Sequence, residues 1–284
     1  MDQHHRAQEA VLVTGASSGI GAACALRLAR QGYTVFAGVR TQADGETLRS
    51  ASSRLIPLLL DVTDPAVVHA AVQFVTTTLD VQGSTLKGLI NNAGIAVPGP
   101  LECIQIDDLR KQLEVNLVGV VQLTQAVLPL LRRHHGRIIM VGSLSGRLST
   151  PFTGAYCAAK FGLEAITTAL RMELAPWQIP VIMIETGAVQ TPIWQKTLAA
   201  VESLEISSKE FQTLYGAGRV AMRRYVERVQ RWACPPEAVA GIIVKALAAP
   251  HPRRRYSVGR DTRLAGVLRL LPAAVRETII QRLL

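Results

Sequence analysis

Apolar runs of strand length alternate with segments of helical periodicity from Ala10 to about Val258, and this alternation leaves few folds open. A strand buried on both faces reads as a continuous apolar run, while a helix crossing back over the sheet repeats at about 3.6 residues. Together they specify βαβ units and a parallel sheet. The spacing predicts strands at Ala10–Thr14, Thr34–Val39, Leu55–Leu60, Leu86–Asn91, Arg137–Gly142, Val181–Glu185 and Arg255–Val258. It predicts helices at Gly19–Gln31, Ala43–Ala51, Pro65–Leu79, Asp107–Arg133, Gly154–Leu174 and Pro236–Ala248. The expected fold is α/β, a doubly wound (Rossmann) seven-stranded parallel sheet with helices on both faces, in a single domain. Its ligand crevice lies beyond the carboxyl ends of the strands.

With 49% hydrophobic and 18% charged residues, the chain of 284 residues can bury a large core, which excludes intrinsic disorder. The four cysteines stand far apart with no C-x-x-C pair, so no metal site and no disulfide framework is expected. The polar N-terminus lacks the apolar core of a signal peptide, and no run supplies the ~20 apolar residues of a spanning helix. A cytoplasmic protein is expected, with peripheral membrane contact left open. The net charge is +10, with arginines grouped at 132/133/137, at 219–231 and at Arg253/Arg254/Arg255, read as solvated faces and loops. Aromatics are only 5%, too few for a base-stacking platform, so no nucleic acid is expected as a partner. Anionic lipid or a phosphorylated cofactor suits the surplus charge better.

Two segments depart from the alternation. Residues 191–231 form an insertion that either covers the substrate as a lid or packs on the core as a helix pair. After the polar arm 1–9 and the domain 10–260, the extension 261–284 carries Leu264, Val267, Leu268, Leu271, Val275, Ile279 and Leu283 at helical spacing. Arg269, Arg276 and Arg282 lie off that stripe, and Pro272 divides the segment into two short helices. The stripe fits either interfacial contact with anionic lipid or packing on the protein itself or a partner subunit.

The first strand runs into Thr14-Gly15-Ala16-Ser17-Ser18-Gly19-Ile20-Gly21 and then an Ala/Leu-rich helix. Glycines allow close backbone approach, and the helix N-terminus offers free N–H groups to a pyrophosphate. Gly15, Ser17, Ser18, Gly19, Ile20 and Gly21 are therefore candidate dinucleotide contacts. The second strand ends at Arg40 with no acid at its tip, a pattern that favours the 2′-phosphate of NADP(H) and leaves NAD(H) open. An ordinary exposed arginine is the other reading of Arg40. Asp61 and Val62 could meet the adenine edge, or Asp61 could cap the helix near Pro65.

Tyr156 and Lys160 form Y-x-x-x-K on one helix face. A phenol is a poor proton shuttle at neutral pH unless a cation stabilises its phenolate, which Lys160 could do. Ser143, just past the fifth strand, could hold a substrate oxygen opposite the tyrosine. Taken singly, a strand-end cap, a core tyrosine and a solvated lysine would explain these residues.

With the glycine turn, Asn91-Asn92-Ala93-Gly94, Asn116, Ser143 and the YCAAK run at 156–160, residues 10–260 resemble a single-domain short-chain dehydrogenase/reductase. The resemblance implies that Asn92, Ala93 and Gly94 line the cofactor cleft and that Asn116 helps hold a proton-relaying water. It implies that Val189 and Thr191 approach the nicotinamide, with Tyr156 and Lys160 also touching the cofactor. The Pro-Gly that usually opens the segment after the sixth strand is Thr186-Gly187 here, which puts the stiffness of that turn in question. The runs 142–148 and 156–165 are similar to the hydroxysteroid and retinol dehydrogenase branch.

These readings converge on an NADP(H)-dependent oxidoreductase interconverting an alcohol and its ketone or aldehyde on a lipophilic, steroid- or retinoid-like molecule. Tyr156, Ser143, Lys160 and Asn116 would be its catalytic residues, and a homodimer or homotetramer is expected. The alternatives are an NAD(H)-dependent retinol-type dehydrogenase and a non-catalytic NADP(H)-binding sensor or scaffold.

Overall fold

In the computed structural model, which describes residues 8–203 and 209–283, seven strands form one sheet in which every pairing is parallel. They are β1 (Glu9–Val13), β2 (Thr34–Val39), β3 (Leu55–Leu59), β4 (Thr85–Asn91), β5 (Arg137–Ser143), β6 (Val181–Thr186) and β7 (Arg255–Val258), in the order β3-β2-β1-β4-β5-β6-β7. Around the sheet lie α1 (Gly19–Arg30), α2 (Gln42–Ala51), α3 (Pro65–Gln82), α4 (Ile106–His134), α5 (Gly154–Glu173), α6 (Pro192–Ser203), α7 (Lys209–Gln230), α8 (Pro236–Ala248), α9 (Asp261–Leu268) and α10 (Ala273–Leu283). The order reverses between β1 and β4, and the crevice of such a sheet opens at that switch.

Each face carries its own core. On one side Cys24, Ala25 and Leu28 of α1 and Val239, Ala240 and Ile243 of α8 pack on Val11, Val35 and Ile182. On the other, Val68, Val75 and Leu79 of α3, Leu123 and Val127 of α4 and Leu163 of α5 cover Leu12, Leu89 and Ile138. By length and composition α4 could cross a membrane, but its apolar face is occupied by this second core.

Local signals set the ends. Asp64 caps α3 by accepting from the N–H groups of Ala66 (2.8 Å) and Val67 (3.1 Å), Pro65 follows at the first turn, and Gly83 closes the helix in the left-handed region. The cap is thus Asp64, not Asp61. Three further differences from the sequence reading have plain causes. The first strand begins at Glu9, which pairs with Thr85 and holds Lys87 at 3.1 Å, so the arm ends sooner than residue 9; residues 1–7 lie outside the described ones. The long helix contains a π-turn at Glu114–Val118, one residue wider than the α-helix on either side. Most of the insertion folds as α6 and α7, a helix pair as one of its two readings had it. Arg255 is half-buried rather than a free surface arginine: it pairs with Glu164 and with the buried Glu185 at 2.7 Å, and Glu185 also takes Arg147 at 3.0 Å.

Pro272 does separate α9 from α10. Of the predicted stripe, Val267 and Val275 are exposed and Leu268, Leu271 and Ile279 half-buried, while Ile280, off the stripe, is buried. The side chains at 264 and 283 lie outside the described residues.

Candidate active site

Beyond the carboxyl ends of β1, β4, β5 and β6 lies a cleft of about 910 Å³, and its lining begins with the glycine turn. Thr14 organises that turn. Its hydroxyl accepts from the N–H groups of Asn92 and Ala93, both at 2.9 Å, while the Asn92 side chain donates to the carbonyl of Thr14 at 2.8 Å. Gly15 and Gly19 lie in the left-handed region, at φ +64° and +55°, where a Cβ is strained. A Cβ on Gly21 would overlap the carbonyl of Gly15, so α1 can start this close to the turn only with glycine there.

The turn leaves α1 suited to an anion. Ser18 stands at its N-cap without a side-chain cap bond, and its first turn carries no acid. The orphan N–H groups and positive dipole end therefore face the cleft unneutralised, as a pyrophosphate requires. Ser17, Ser18, Gly19 and Ile20 line the cleft, and a Cβ on Gly19 would meet Thr191 at 2.9 Å. The glycine turn and the segment after β6 are thus in contact, closing the cradle from both sides. Arg40 lies exposed at the far end, with Asp61 and Val62 beside it. Asp61 takes the N–H and hydroxyl of Thr63 on one oxygen (3.0 and 2.7 Å), and these bonds, more than the nearby Arg40, hold its carboxyl below the usual range.

At the other end, β5 delivers Ser143 and α5 delivers Tyr156 and Lys160. Ser143 and Tyr156 both line the cleft, and the serine lies near enough to lower the tyrosine's phenol; its side chain accepts the N–H of Ser145 at 3.1 Å, so the serine is also a strand-end cap. Lys160 is buried, donates to the carbonyl of Val141 at 3.0 Å and lies 5.7 Å from the centre of the Tyr156 ring. Desolvation pulls its ammonium down to about 8. Burial pushes the Tyr156 phenol up to about 12, which outweighs the lowering by Ser143. The expected lowering by Lys160 is therefore not what governs this tyrosine here: the ammonium is aimed at a backbone carbonyl and is itself poorly solvated.

Asn116 is buried in the π-turn, and its side-chain amide is engaged at both ends by Ile95, accepting from the N–H and donating to the carbonyl, each at 2.9 Å. One turn earlier the buried Gln112 does the same for Val97 (2.7 Å) and Ile95 (3.0 Å). These two amides hold the cleft-lining segment 95–97 against α4. Sequence reading missed Gln112, although a polar pair at i, i+4 on a buried helix face is a usable signal. It also missed Thr14. Gly94 packs beside Asn116, and Val189 accepts the indole N–H of Trp194 at 2.8 Å, which brings α6 to the rim.

All the candidate residues except Gly21, which lies behind Gly15, thus line one cleft, and the comparisons agree with its chemistry. The family model for short chain dehydrogenases matches residues 9–202. The chain belongs to the short-chain dehydrogenase family. Within it the chain falls in the retinol dehydrogenase-like branch: it is 37% identical to mouse retinol dehydrogenase 5 over 95% of this chain and 87% of that one. It is 39% identical to human retinol dehydrogenase 16 over 92% and 83%. A solved short chain dehydrogenase from Burkholderia cenocepacia, in complex with NADP, matches with a TM-score of 0.70 and 25% identity over 97% of both chains. As a member of this family the chain is an NAD(P)-dependent oxidoreductase acting on alcohols, and the cradle of glycines, helix N-terminus and Thr191 fits a nicotinamide dinucleotide.

Proposed function

We propose that this short-chain dehydrogenase interconverts an alcohol and its carbonyl on a lipophilic, retinoid- or steroid-like molecule, using NADP(H). The observation that carries the reading is the Ser143–Tyr156 pair, with Lys160 beneath, standing where a cleft with an anion cradle at one end meets an apolar wall at the other. That wall is Ile95, Val97, Ile193, Trp194 and Val229. Bound in the cradle, the cofactor supplies the hydride-transfer chemistry.

In the reductive direction Tyr156 gives its hydroxyl proton to the carbonyl oxygen, and a phenol near 12 holds that proton ready at neutral pH. Ser143 orients the same oxygen. Lys160 would draw the emerging phenolate's charge and would help hold the ribose of a bound cofactor, and Asn116 supports proton return by fixing the backbone around Ile95. Arg40, with no acid beside it on β2, pairs with a 2′-phosphate.

Helices α6 and α7 act as a lid on the apolar end. Ile193 and Trp194 of α6 and Tyr225 and Val229 of α7 line the cleft. Nearer the start of α7, Tyr215 bonds Glu102 and meets Phe152 edge-on at 6.3 Å. The extension supports shallow contact with anionic lipid, since Val267, Leu270 and Val275 are exposed beside Arg269 and Arg276. Self-association is supported by the outer face of α5, where Ala158, Phe161, Ala165, Thr168 and Met172 form an exposed stripe without a charge.

The test is a panel of hydrophobic ketones, aldehydes and alcohols run with NADPH, NADH and their oxidised forms, read by absorbance. Turnover of apolar carbonyls with NADPH supports the reading. Cofactor binding without turnover of any of them would favour a sensor.

A further inference from the structure

The family resemblance implies Pro-Gly after the sixth strand; this chain has Thr186-Gly187, so something other than a fixed proline φ has to hold the turn. Two side chains do so. At its front, the buried Thr186 donates its hydroxyl to the carbonyl of Gly142 at 3.0 Å, tying the end of β6 to the residue before Ser143. At its back, the N–H of Ala188 donates to Oδ2 of Asp261 at 2.8 Å. Asp261 is the first residue of α9 and so belongs to the extension, outside the part of the chain that carries the family motifs.

The contact is built rather than incidental. Gly187 lies against the Asp261 carboxylate so closely that a Cβ there would overlap it. Gly259, at φ +115°, turns the chain back from β7, and Thr262 donates to the carbonyl of Gly259 at 2.7 Å, fixing the start of α9. The other carboxylate oxygen, Oδ1, is buried with no partner among the described residues. Burial raises the Asp261 carboxyl, although the N–H groups of Ala188, Asp261 and Thr262 oppose the rise. A desolvated acid in a surface extension is costly unless it serves the contact it makes. Gly187, Ala188 and Asp261 all face the cleft, immediately before Val189 and Thr191.

We propose that Asp261 is a positioning residue of the active site, holding the Gly187–Ala188 turn in register for the cofactor. The extension is then a structural part of the cofactor site. This rests on reading the cleft as a nicotinamide-dinucleotide site, and the test separates the two. Full-length wild type, Asp261→Ala, Asp261→Ser and Asp261→Asn are titrated with NADPH by fluorescence, and amide exchange over residues 187–190 is followed without any ligand. Asparagine keeps an acceptor for the Ala188 N–H; alanine lacks one, and serine is too short to reach.

Loss of one such hydrogen bond corresponds to about tenfold in an equilibrium. Asp261→Ala should therefore weaken NADPH binding about tenfold, raise the KM for cofactor with kcat little changed, and speed exchange at 187–190 by a similar factor. Asp261→Asn should restore both. Unchanged exchange and affinity in Asp261→Ala would overturn the proposal. So would unfolding of both the alanine and serine variants, since Asp261 would then be a folding residue. Wild type that binds neither NADPH nor NADH would overturn the functional reading, while the exchange comparison would still decide the role of Asp261.

Discussion

Lys160 donates to the carbonyl of Val141 at 3.0 Å, and so fastens α5 to β5 two residues before Ser143. The bond fixes the spacing of the tyrosine and the serine, at the cost of burying an ammonium. That cost is visible in pH. Below about 8 the folded and unfolded chains both hold the proton and the burial penalty is present in full. Between about 8 and the usual 10.5 the folded chain has released it and the unfolded chain has not, so stability rises with pH by at most about 1.4 kcal/mol per unit. Buried Cys24 and half-buried Tyr156, both pushed up to about 12, act oppositely: folded, they keep protons that the unfolded chain loses above their usual 9.0 and 10.0. The net gain is therefore confined to roughly pH 8–9. Melting curves of the ligand-free protein should show it, and Lys160→Met should flatten it; a rise that survives in that variant would have another source.

Tyr156→Phe removes the transferable proton and leaves the ring in place. Turnover should fall by at least ~100-fold while NADPH affinity, read by fluorescence, stays near wild type. A phenylalanine variant that turns over normally would remove Tyr156 from the mechanism.

Arg40→Asp sets a carboxylate where a 2′-phosphate would sit. The ratio of kcat/KM for NADPH to that for NADH should drop by at least ~10-fold, mostly through KM. An unchanged ratio would mean that Arg40 does not read the phosphate.

The parts legible in the sequence were those written in local pattern. β2 and α8 fall on their predicted limits because each reads as an unbroken apolar or helical run. Ser143, Tyr156 and Lys160 were legible because a catalytic helix face has a fixed spacing. What escaped depends on contacts across the fold. Asp261 meets Ala188 across 73 positions, and Arg255 meets Glu164 across 91, and neither separation leaves a local trace. The rise in the Tyr156 pKa escaped because burial, unlike i, i+4 proximity, is a property of the whole packing.

Arg255 should matter to stability more than an exposed arginine. It joins β7 to α5 through Glu164 and to β6 through Glu185, which is only 2% exposed. Removing one partner of a buried pair leaves a charge uncompensated, at about 3–5 kcal/mol. Arg147 still holds Glu185, so Arg255→Ala should fall at the lower end, about 3 kcal/mol, in urea unfolding with an unchanged m value. A loss under about 1 kcal/mol would show the cluster to be solvated in solution.

The extension should bring the enzyme to lipid. Leu270 is 79% exposed and Val267 61%, too open for core residues, and Arg269 and Arg276 flank them. Such a surface gains from burying side chains in the headgroup region and from attraction to anionic lipid, about 1 kcal/mol per basic residue, which salt screens. Truncation after Gly259 is too blunt a test, because it also removes Asp261. Leu270→Ser with Val267→Ser leaves that residue in place. Full-length protein should float with vesicles containing anionic lipid, less at high salt and hardly at all with neutral vesicles, and the double variant should stay at the bottom while keeping its affinity for NADPH. Equal flotation of the double variant would put the contact elsewhere. No flotation of wild type with either vesicle would leave the exposed stripe to a protein partner.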